Sequence, residues 1–181
     1  MDLQGVIFTL LNDCVVDNFG LDVWNQLIDE SELVSGGIYT SNQSYSDEEL
    51  FELVVNLSKK VCLSVDDLVR IYGEYLFPHL IDQMPEAHQS GMSFTDFMLS
   101  VDRVIHKEVE RIYPDAYLPS IEFIEHGKDI TMIYRSKRQL CLLAEGLTIG
   151  AAKYFNVDVE LEHSVCMHKG DDHCEILIKI K

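Results

Sequence analysis

The sequence has few basic residues and no long apolar run. Lysine and arginine number 14 against 31 acidic residues, which gives a formal net charge of −17 at pH 7. A charge of this sign opposes broad contact with nucleic-acid phosphates or with an anionic membrane face. Because no run of about 18 apolar residues occurs, a membrane-spanning helix is not expected either. We therefore expect neither a nucleic acid nor a membrane as a partner.

The usual arrangements of catalytic residues are also absent from the sequence. We find no nucleophile paired with a base, no phosphate-binding loop and no open metal site. The N-terminal apolar stretch has no basic residues before it and is interrupted by Asn12 and Asp13, so it does not read as a secretion signal. We therefore expect a cytoplasmic protein without enzymatic activity.

Five cysteines, an odd number, cannot all form disulfides within one chain. In a chain without a secretion signal, reduced thiols or metal ligands are the more natural interpretation. Cys14 and Cys62 lie in apolar helical patterns and are predicted to pack, and Trp24 is assigned to the core. The length of 181 residues and the 47% hydrophobic content suit a single domain over residues 1–181.

Apolar periodicity divides the chain into a helical part and a mixed part. Three-to-four spacing predicts helices over Val6 to Phe19, Val23 to Ser31, Asp47 to Lys60, Val65 to Leu80 and Phe94 to Ile112. Serines followed by acidic residues at Ser46, Ser64 and Ser93 are typical of helix N-termini. In the last third, two predicted hairpins flank a helix over Gln139 to Phe155. The sequence thus predicts an α+β fold, with helices first and a small antiparallel β-β-α-β-β sheet after them.

Tyr134, Ser136 and Arg138 lie where a predicted strand passes into that helix. Arginine can bind a carboxylate through two parallel hydrogen bonds, and hydroxyl groups can satisfy the remaining oxygen lone pairs. The cluster therefore suits a ligand that bears carboxylates. Spacing alone equally allows a solvated polar turn, which is common at the end of a strand.

His106 lies within the predicted helix Phe94 to Ile112. It shares a side with Leu99 and Val109, while Asp102 marks the polar border of that side. A neutral imidazole in this position could ligate iron. The same position also suits a half-buried or surface histidine that binds nothing.

The Y-x-S-x-R pattern at 134–138 resembles the signature of the heme nitric oxide/oxygen binding (H-NOX) family. The resemblance extends to the opening Gly5 to Phe8, to Gly20 to Trp24, and to the helix that carries His106. The chain is also similar to the haem domain of soluble guanylate cyclase and to bacterial stand-alone nitric oxide sensors.

This resemblance implies a fold that encloses haem b. His106 would be the proximal ligand of the iron, and Tyr134, Ser136 and Arg138 would hold the haem propionates. Pro119 would match the proline that presses on the porphyrin and bends it. The implied function is a nitric oxide sensor that regulates a separate signalling enzyme, either a histidine kinase or a cyclic-dinucleotide enzyme. The alternative is a zinc-stabilised interaction module that binds another carboxylate ligand.

The resemblance also implies an apolar distal side of the haem pocket. Oxygen-binding members of the family carry a tyrosine where this chain has Leu143, which cannot donate a hydrogen bond. The other residues expected on the distal side are Ile7, Leu11, Leu76 and Leu80. We therefore expect nitric oxide and carbon monoxide as gas ligands and no stable oxygen complex, unless Tyr72 or Tyr75 points inward.

Three cysteines and a histidine offer the ligands of a closed zinc site: Cys141, His163, Cys166 and Cys174. His163 and Cys166 differ in strand parity, so a bulge or a turn has to separate them. His168 and His173 are alternative fourth ligands, and thiols that are merely buried are the other interpretation. A subset of the H-NOX family resembles this arrangement, in which the zinc would be structural or redox-sensitive.

Overall fold

The computed structural model describes residues 2–82, 91–112 and 117–181. The chain divides into two compact units, Met1–Tyr72 and Gly73–Lys181. Within the described ranges, no helix has both the length and the apolar character needed to cross a membrane. The single domain expected over residues 1–181 stays a prediction.

The first unit is mainly helical. A short strand β1 pairs antiparallel with β2, and the helices α1, α2 and α3 surround a core that includes Trp24 and Cys14, as predicted. The element bounds are β1 Asp2–Gln4, α1 Gly5–Phe19, α2 Leu21–Asp29, β2 Ser44–Ser46 and α3 Asp47–Val61. The two strands were not predicted, because a strand of three residues is too short to show an alternating pattern.

The second unit combines helices with a four-stranded antiparallel sheet in the order β3-β4-β6-β5. The helix α4, Val65–Ile81, runs into it from the first unit. The other bounds are α5 Phe94–Ser100, α6 His106–Ile112, β3 Ser120–His126, β4 Asp129–Arg135, α7 Cys141–Tyr154, β5 Val159–Val165 and β6 Cys174–Ile180. The predicted α+β class and the β-β-α-β-β order are confirmed.

The predicted helix starts have the expected side-chain caps. The Ser46 side chain accepts a hydrogen bond from the Glu48 amide, and the Ser64 hydroxyl accepts one from the Asp67 amide at 3.0 Å. At Ser93 a complete capping box forms with Asp96. These bonds satisfy amide groups that have no partner inside their helices, which is why each helix begins there.

The continuous helix predicted over Phe94 to Ile112 is interrupted just before His106, so that prediction was wrong at this point. Residues Val101–Ile105 form a turn of π-helix, and the His106 amide donates to the Val101 carbonyl, five residues back. One extra residue in a turn rotates everything after it by about 100°. The side chain of His106 therefore does not continue the apolar stripe of α5.

Cys62 does not pack into the core, as its apolar pattern had suggested. The helix α3 ends at Val61, and Cys62 adopts the left-handed conformation with φ +55° at the helix C-terminus. Its side chain is exposed. A left-handed cap breaks the helical period, so spacing alone misassigned this residue.

The core of the second unit lies between the sheet and its helices. Ile130 and Met132 on β4 pack with Ile176 and Ile178 on β6, and all four are buried. The helices α4 and α7 touch at their backbones, because a Cβ atom built on Gly73 would lie 2.5 Å from the Leu143 carbonyl oxygen. This close contact fixes the position of α7, which follows directly after the turn at the end of β4.

Candidate functional site

Tyr134, Ser136 and Arg138 lie at the end of β4 and in the turn that follows it. Tyr134 is 3% exposed and Ser136 is 7% exposed, while Arg138 is half-buried. The Gln139 amide donates to the Ser136 carbonyl at 3.1 Å, and Gln139 has a left-handed backbone with φ +53°. The turn is thus held by its own backbone, with buried polar side chains at its start.

Within this cluster, Ser136 links the side chain of Tyr134 to the backbone of Arg138. Its hydroxyl accepts a hydrogen bond from the Arg138 amide at 3.2 Å. Burial raises the pKa of Tyr134 to about 12, against the effect of hydrogen bonds from Ser136 and from the Leu140 backbone. Tyr134 is therefore a neutral phenol over the whole physiological pH range.

The Arg138 guanidinium contacts Tyr117, which the sequence analysis did not single out. Its Nη1 donates to the Tyr117 carbonyl at 2.7 Å, and its Cζ lies 5.1 Å from the centre of the Tyr117 ring. The two residues are 21 positions apart, so only the tertiary fold brings them together. This contact joins the cluster after β4 to the segment that leads into β3.

His106, at the start of α6, has a side chain that is only 15% exposed. Its Nδ1 lies 3.7 Å from Asp102 Oδ1, a distance that allows electrostatic attraction but is too long for a hydrogen bond. Burial lowers the pKa of His106, while the carboxylates of Asp102 and Glu110 act in the opposite direction. The imidazole is therefore neutral at physiological pH, which is the form that can bind a metal.

An open cleft of about 480 Å³ is bordered by His106, Tyr117 and Pro119. Pro119 is half-buried, one residue before β3. The structure thus brings His106 and Pro119 to one cleft, and Tyr117 connects this cleft to Arg138.

The apolar residues expected on the distal side lie on three helices. Leu76 is buried and Leu80 half-buried on α4, and Leu143 is half-buried on α7. In the first unit, α1 carries Ile7, half-buried, and Leu11, buried.

The two tyrosines on α4 are both engaged in contacts. The Tyr72 hydroxyl donates a short hydrogen bond to the Ile7 carbonyl. The ring of Tyr75 contacts the edge of the His79 ring, with centroids 4.9 Å apart. The donor of Tyr72 is therefore already used within the first unit.

The four predicted zinc ligands lie together in the second unit. Their ligand atoms all lie within 4.8 Å of one another, and the Sγ atoms of Cys141 and Cys166 are 4.0 Å apart. Tetrahedral zinc with bonds of about 2.3 Å to sulfur requires a separation of about 3.8 Å. The Cys141 and Cys166 sulfurs are therefore close to the separation that a shared tetrahedral ion would require.

Three elements bring these ligands together. Cys141 begins α7, Cys174 begins β6, and His163 and Cys166 lie near the end of β5. The register of β5 against β6 shifts between His163 and Val165, which confirms the predicted irregularity. The Met167 amide donates to Cys174 Sγ at 3.3 Å, so one sulfur already accepts a hydrogen bond suited to a thiolate.

The two alternative histidines make other contacts. His168 Nε2 lies 2.7 Å from the Gln139 carbonyl. The His173 ring lies between Asp172 and Glu175, with Nε2 3.1 Å from Glu175 Oε1. Of the three histidines considered as the fourth ligand, only His163 belongs to the described cluster.

Glu145 is a residue of this site that the sequence analysis missed. It lies on α7, one turn after Cys141, and is 5% exposed. Its Oε1 is 2.5 Å from His163 Nδ1. An acidic residue in the otherwise apolar first half of α7, spaced four residues from a cysteine, was the signal that could have revealed it.

Comparisons of the sequence and of the structure with known proteins identify the same family. The sequence model of the Haem-NO-binding family matches residues 4–163. The H-NOX protein of Shewanella oneidensis in the Fe(II)NO ligation state is 33% identical, with a TM-score of 0.91 over 99% of both chains. The unliganded Fe(II) H-NOX protein of K. algicida is 33% identical, with a TM-score of 0.89 over 99% of this chain and 97% of that one.

A curated relative is much longer than this chain. The soluble guanylate cyclase gcy-34 of Caenorhabditis elegans is 25% identical over 97% of this chain. The chain spans 28% of the length of that relative.

The geometry predicts that Ser136→Ala destabilises the second unit. The change leaves the Arg138 amide and the buried Tyr134 hydroxyl each without one partner, so the free energy of unfolding should fall by about 1–3 kcal/mol. Urea denaturation measures this difference, with Ser120→Ala at the exposed start of β3 as the control. Equal stability of the two variants would contradict the role assigned to Ser136.

Proposed function

This chain belongs to the Haem-NO-binding family and is an H-NOX domain, a haem-based gas sensor, and we propose that it detects nitric oxide and regulates a separate signalling enzyme. The observation that carries the proposal is that Tyr117 borders the same cleft as the half-buried, neutral His106 and also contacts Arg138 of the cluster that contains Tyr134 and Ser136. The imidazole suited to iron borders this cleft, and the arginine suited to carboxylates contacts Tyr117 at its edge.

We propose His106 as the proximal ligand of the haem iron. Its imidazole is neutral because burial lowers its pKa. Nδ1 faces Asp102, which leaves Nε2 as the nitrogen for a metal. The electrostatic attraction of this carboxylate favours the tautomer that carries its proton on Nδ1. When bound, ferrous haem supplies an open coordination position for a diatomic gas.

The haem propionates are assigned to Tyr134, Ser136 and Arg138. A guanidinium has five N–H donors, and the one that Arg138 places on the Tyr117 carbonyl leaves others for a carboxylate. The turn after β4 holds the backbone of Arg138 against Ser136. An anchored arginine loses less conformational entropy when it binds a carboxylate than a freely moving one does.

Pro119 is assigned the role of pressing on the haem from the side of His106. Both residues border one cleft, and the ring of proline is rigid. A change in the position of His106 can therefore be transmitted to the segment that enters β3. Such a movement acts as a signal only when the partner protein has different affinities for the two states of the domain.

The domain itself is proposed to be a sensor without catalytic activity. Its net charge of −17 favours a partner with a basic surface. A histidine kinase or a cyclic-dinucleotide enzyme is the kind of partner that the family resemblance implies. Because thiols stay reduced in the cytoplasm, we propose that the protein is cytoplasmic.

A second, structural site is proposed for zinc, held by Cys141, His163, Cys166 and Cys174. The donor set is that of a closed zinc site. Its fit rests on the mutual approach of the four ligand atoms and on His163 Nε2, a buried atom without a hydrogen-bond partner among the described residues. The metal would join the start of α7 to the hairpin of β5 and β6.

His106→Gly is expected to abolish stable five-coordinate ferrous haem, because glycine offers no ligand to the iron. Added imidazole should restore the wild-type absorption spectrum by occupying the vacated space. The matched control is His126→Gly at the exposed end of β3, which should keep the normal spectrum. An unchanged ferrous spectrum in His106→Gly would rule out this ligand, and a wild type without a Soret band would favour the alternative of a zinc-stabilised interaction module.

The ferrous protein is expected to bind nitric oxide and carbon monoxide but to show no stable oxygen spectrum in air. Leu143, Leu76 and Leu80 offer no hydrogen-bond donor, and the donor of Tyr72 is used by the Ile7 carbonyl. Ile7 and Leu11 are further distal residues implied by the resemblance.

Two variants test this gas selectivity. Leu143→Tyr should gain measurable oxygen affinity, because it supplies the missing donor, whereas Tyr72→Phe should leave the selectivity unchanged. A stable oxygen spectrum from the wild type at room temperature would show that another donor is present.

Purified protein is expected to contain about one zinc ion per chain. Cys166→Ala and Cys174→Ala should lower the melting temperature and remove the zinc, while Cys62→Ala, at an exposed position, should change neither. Burial raises the pKa of the Cys141 and Cys174 thiols, and zinc binds thiolates, so its affinity should decrease as the pH falls. The proposal would be contradicted if elemental analysis detects no zinc and a chelator leaves the stability of the protein unchanged.

A further inference from the structure

Glu145 is a buried carboxylate in the middle of an apolar helix face. Its side chain is 6% exposed, and carboxylates are almost never buried to this degree without a partner. The partner here is His163, whose Nδ1 lies 2.5 Å from Glu145 Oε1. Glu145 follows Cys141 by one turn of α7, so one helix carries both a proposed zinc ligand and the carboxylate that contacts another.

The contact decides which nitrogen of His163 carries a proton. When Glu145 is ionised, its carboxylate can only accept hydrogen bonds, and Nδ1 of His163 is then the donor. The other nitrogen, Nε2, is buried and has no hydrogen-bond partner among the described residues. The ring belongs to the group whose ligand atoms lie within 4.8 Å of the three cysteine sulfurs. In the neutral ring, Nε2 then carries the lone pair that a metal requires.

We propose that Glu145 is a positioning residue for the zinc ligand His163: it fixes the tautomer and the orientation of the ring and so sets the affinity of the site. This inference rests on the proposed zinc site. Carboxylates that accept a hydrogen bond from a metal-binding histidine raise the basicity of the imidazole, and their loss weakens metal affinity by about 10- to 100-fold. Glu145 itself makes no bond to the metal.

A merely structural role for Glu145 would have a different signature. A carboxylate that only joined α7 to β5 would affect stability, and zinc affinity would follow stability alone. Loss of a positioning residue would instead change the ligand field of the metal and the tautomer of His163, in a protein that remains folded. The experiment therefore has to measure affinity, ligand field and tautomer separately.

The test uses the full chain with haem bound, stripped of zinc and titrated with Zn²⁺ against a chromophoric chelator. Glu145→Leu should bind zinc about 10- to 100-fold more weakly than the wild type. Glu145→Gln keeps an oxygen that can accept from Nδ1 but loses the charge, so its loss of affinity should be smaller, near the lower limit of that range, at about 10-fold. Cobalt substitution should give the visible spectrum of a tetrahedral site with three sulfurs and one nitrogen in the wild type, and a shifted spectrum in Glu145→Leu.

The matched control is Glu162→Gln, on β5 next to His163. Glu162 is exposed and pairs with Lys179, so the change removes the same charge close to the site without touching the ring. Its zinc affinity and cobalt spectrum should equal those of the wild type. ¹⁵N chemical shifts of His163 in the zinc-loaded wild type should show a proton on Nδ1, and Glu145→Leu should lose this pattern.

The outcomes separate the two proposals. If the wild type binds no zinc, the proposed zinc site fails and the inference falls with it. If the wild type binds zinc but both Glu145 variants bind it with unchanged affinity and spectrum, the positioning role alone is overturned. Should Glu145→Leu fail to fold, which circular dichroism and the Soret band would reveal, Glu145→Gln decides: a weaker affinity than Glu162→Gln supports the role, and an equal affinity overturns it.

Discussion

The connection from β4 to α7 has to satisfy two sets of contacts at once. It contains Ser136 and Arg138 of the polar cluster and ends at Cys141 of the thiol cluster. Across the sheet, Tyr134 lies directly opposite Cys174, so the two clusters also meet through a strand pair whose side chains share one face. The bond from the Gln139 amide to the Ser136 carbonyl and the left-handed Gln139 leave this turn little freedom. A displacement of α7 would therefore be felt at both clusters.

The thiol cluster combines buried cysteine side chains with a buried imidazole nitrogen. Cys141 and Cys174 are fully buried, and burial raises the pKa of both thiols, so without metal they stay neutral. His163 Nε2 is buried and has no hydrogen-bond partner among the described residues, so it loses its hydration without compensation. A divalent cation would replace the thiol protons and use His163 Nε2 as well, so its binding energy would become folding energy. That energy would act on the same turn that carries Arg138.

Regular patterns predicted most of the fold and the members of both clusters. The three-to-four spacing gave α1, α3, α4 and α7 almost to the residue, and the parity of His163 and Cys166 required the irregularity that β5 shows. Three of the failures, at His106, Cys62 and Tyr117, depend on a backbone irregularity or on a tertiary contact. The π turn before His106 and the left-handed Cys62 break a period without any change in residue type. Tyr117 reaches Arg138 only through the folded chain.

Two histidines in the second unit, His106 and His163, each lie beside a carboxylate. The two pairs differ in how deeply the carboxylate is buried. Asp102 is 52% exposed and lies 3.7 Å from His106 Nδ1, so water screens its attraction for the ring. Glu145 is 6% exposed and lies 2.5 Å from His163 Nδ1, where low dielectric strengthens the bond. A firmly held imidazole suits a metal that keeps its ligands, as in a closed zinc site. The proposed haem ligand His106 is thus held less firmly by its carboxylate than His163 is by Glu145.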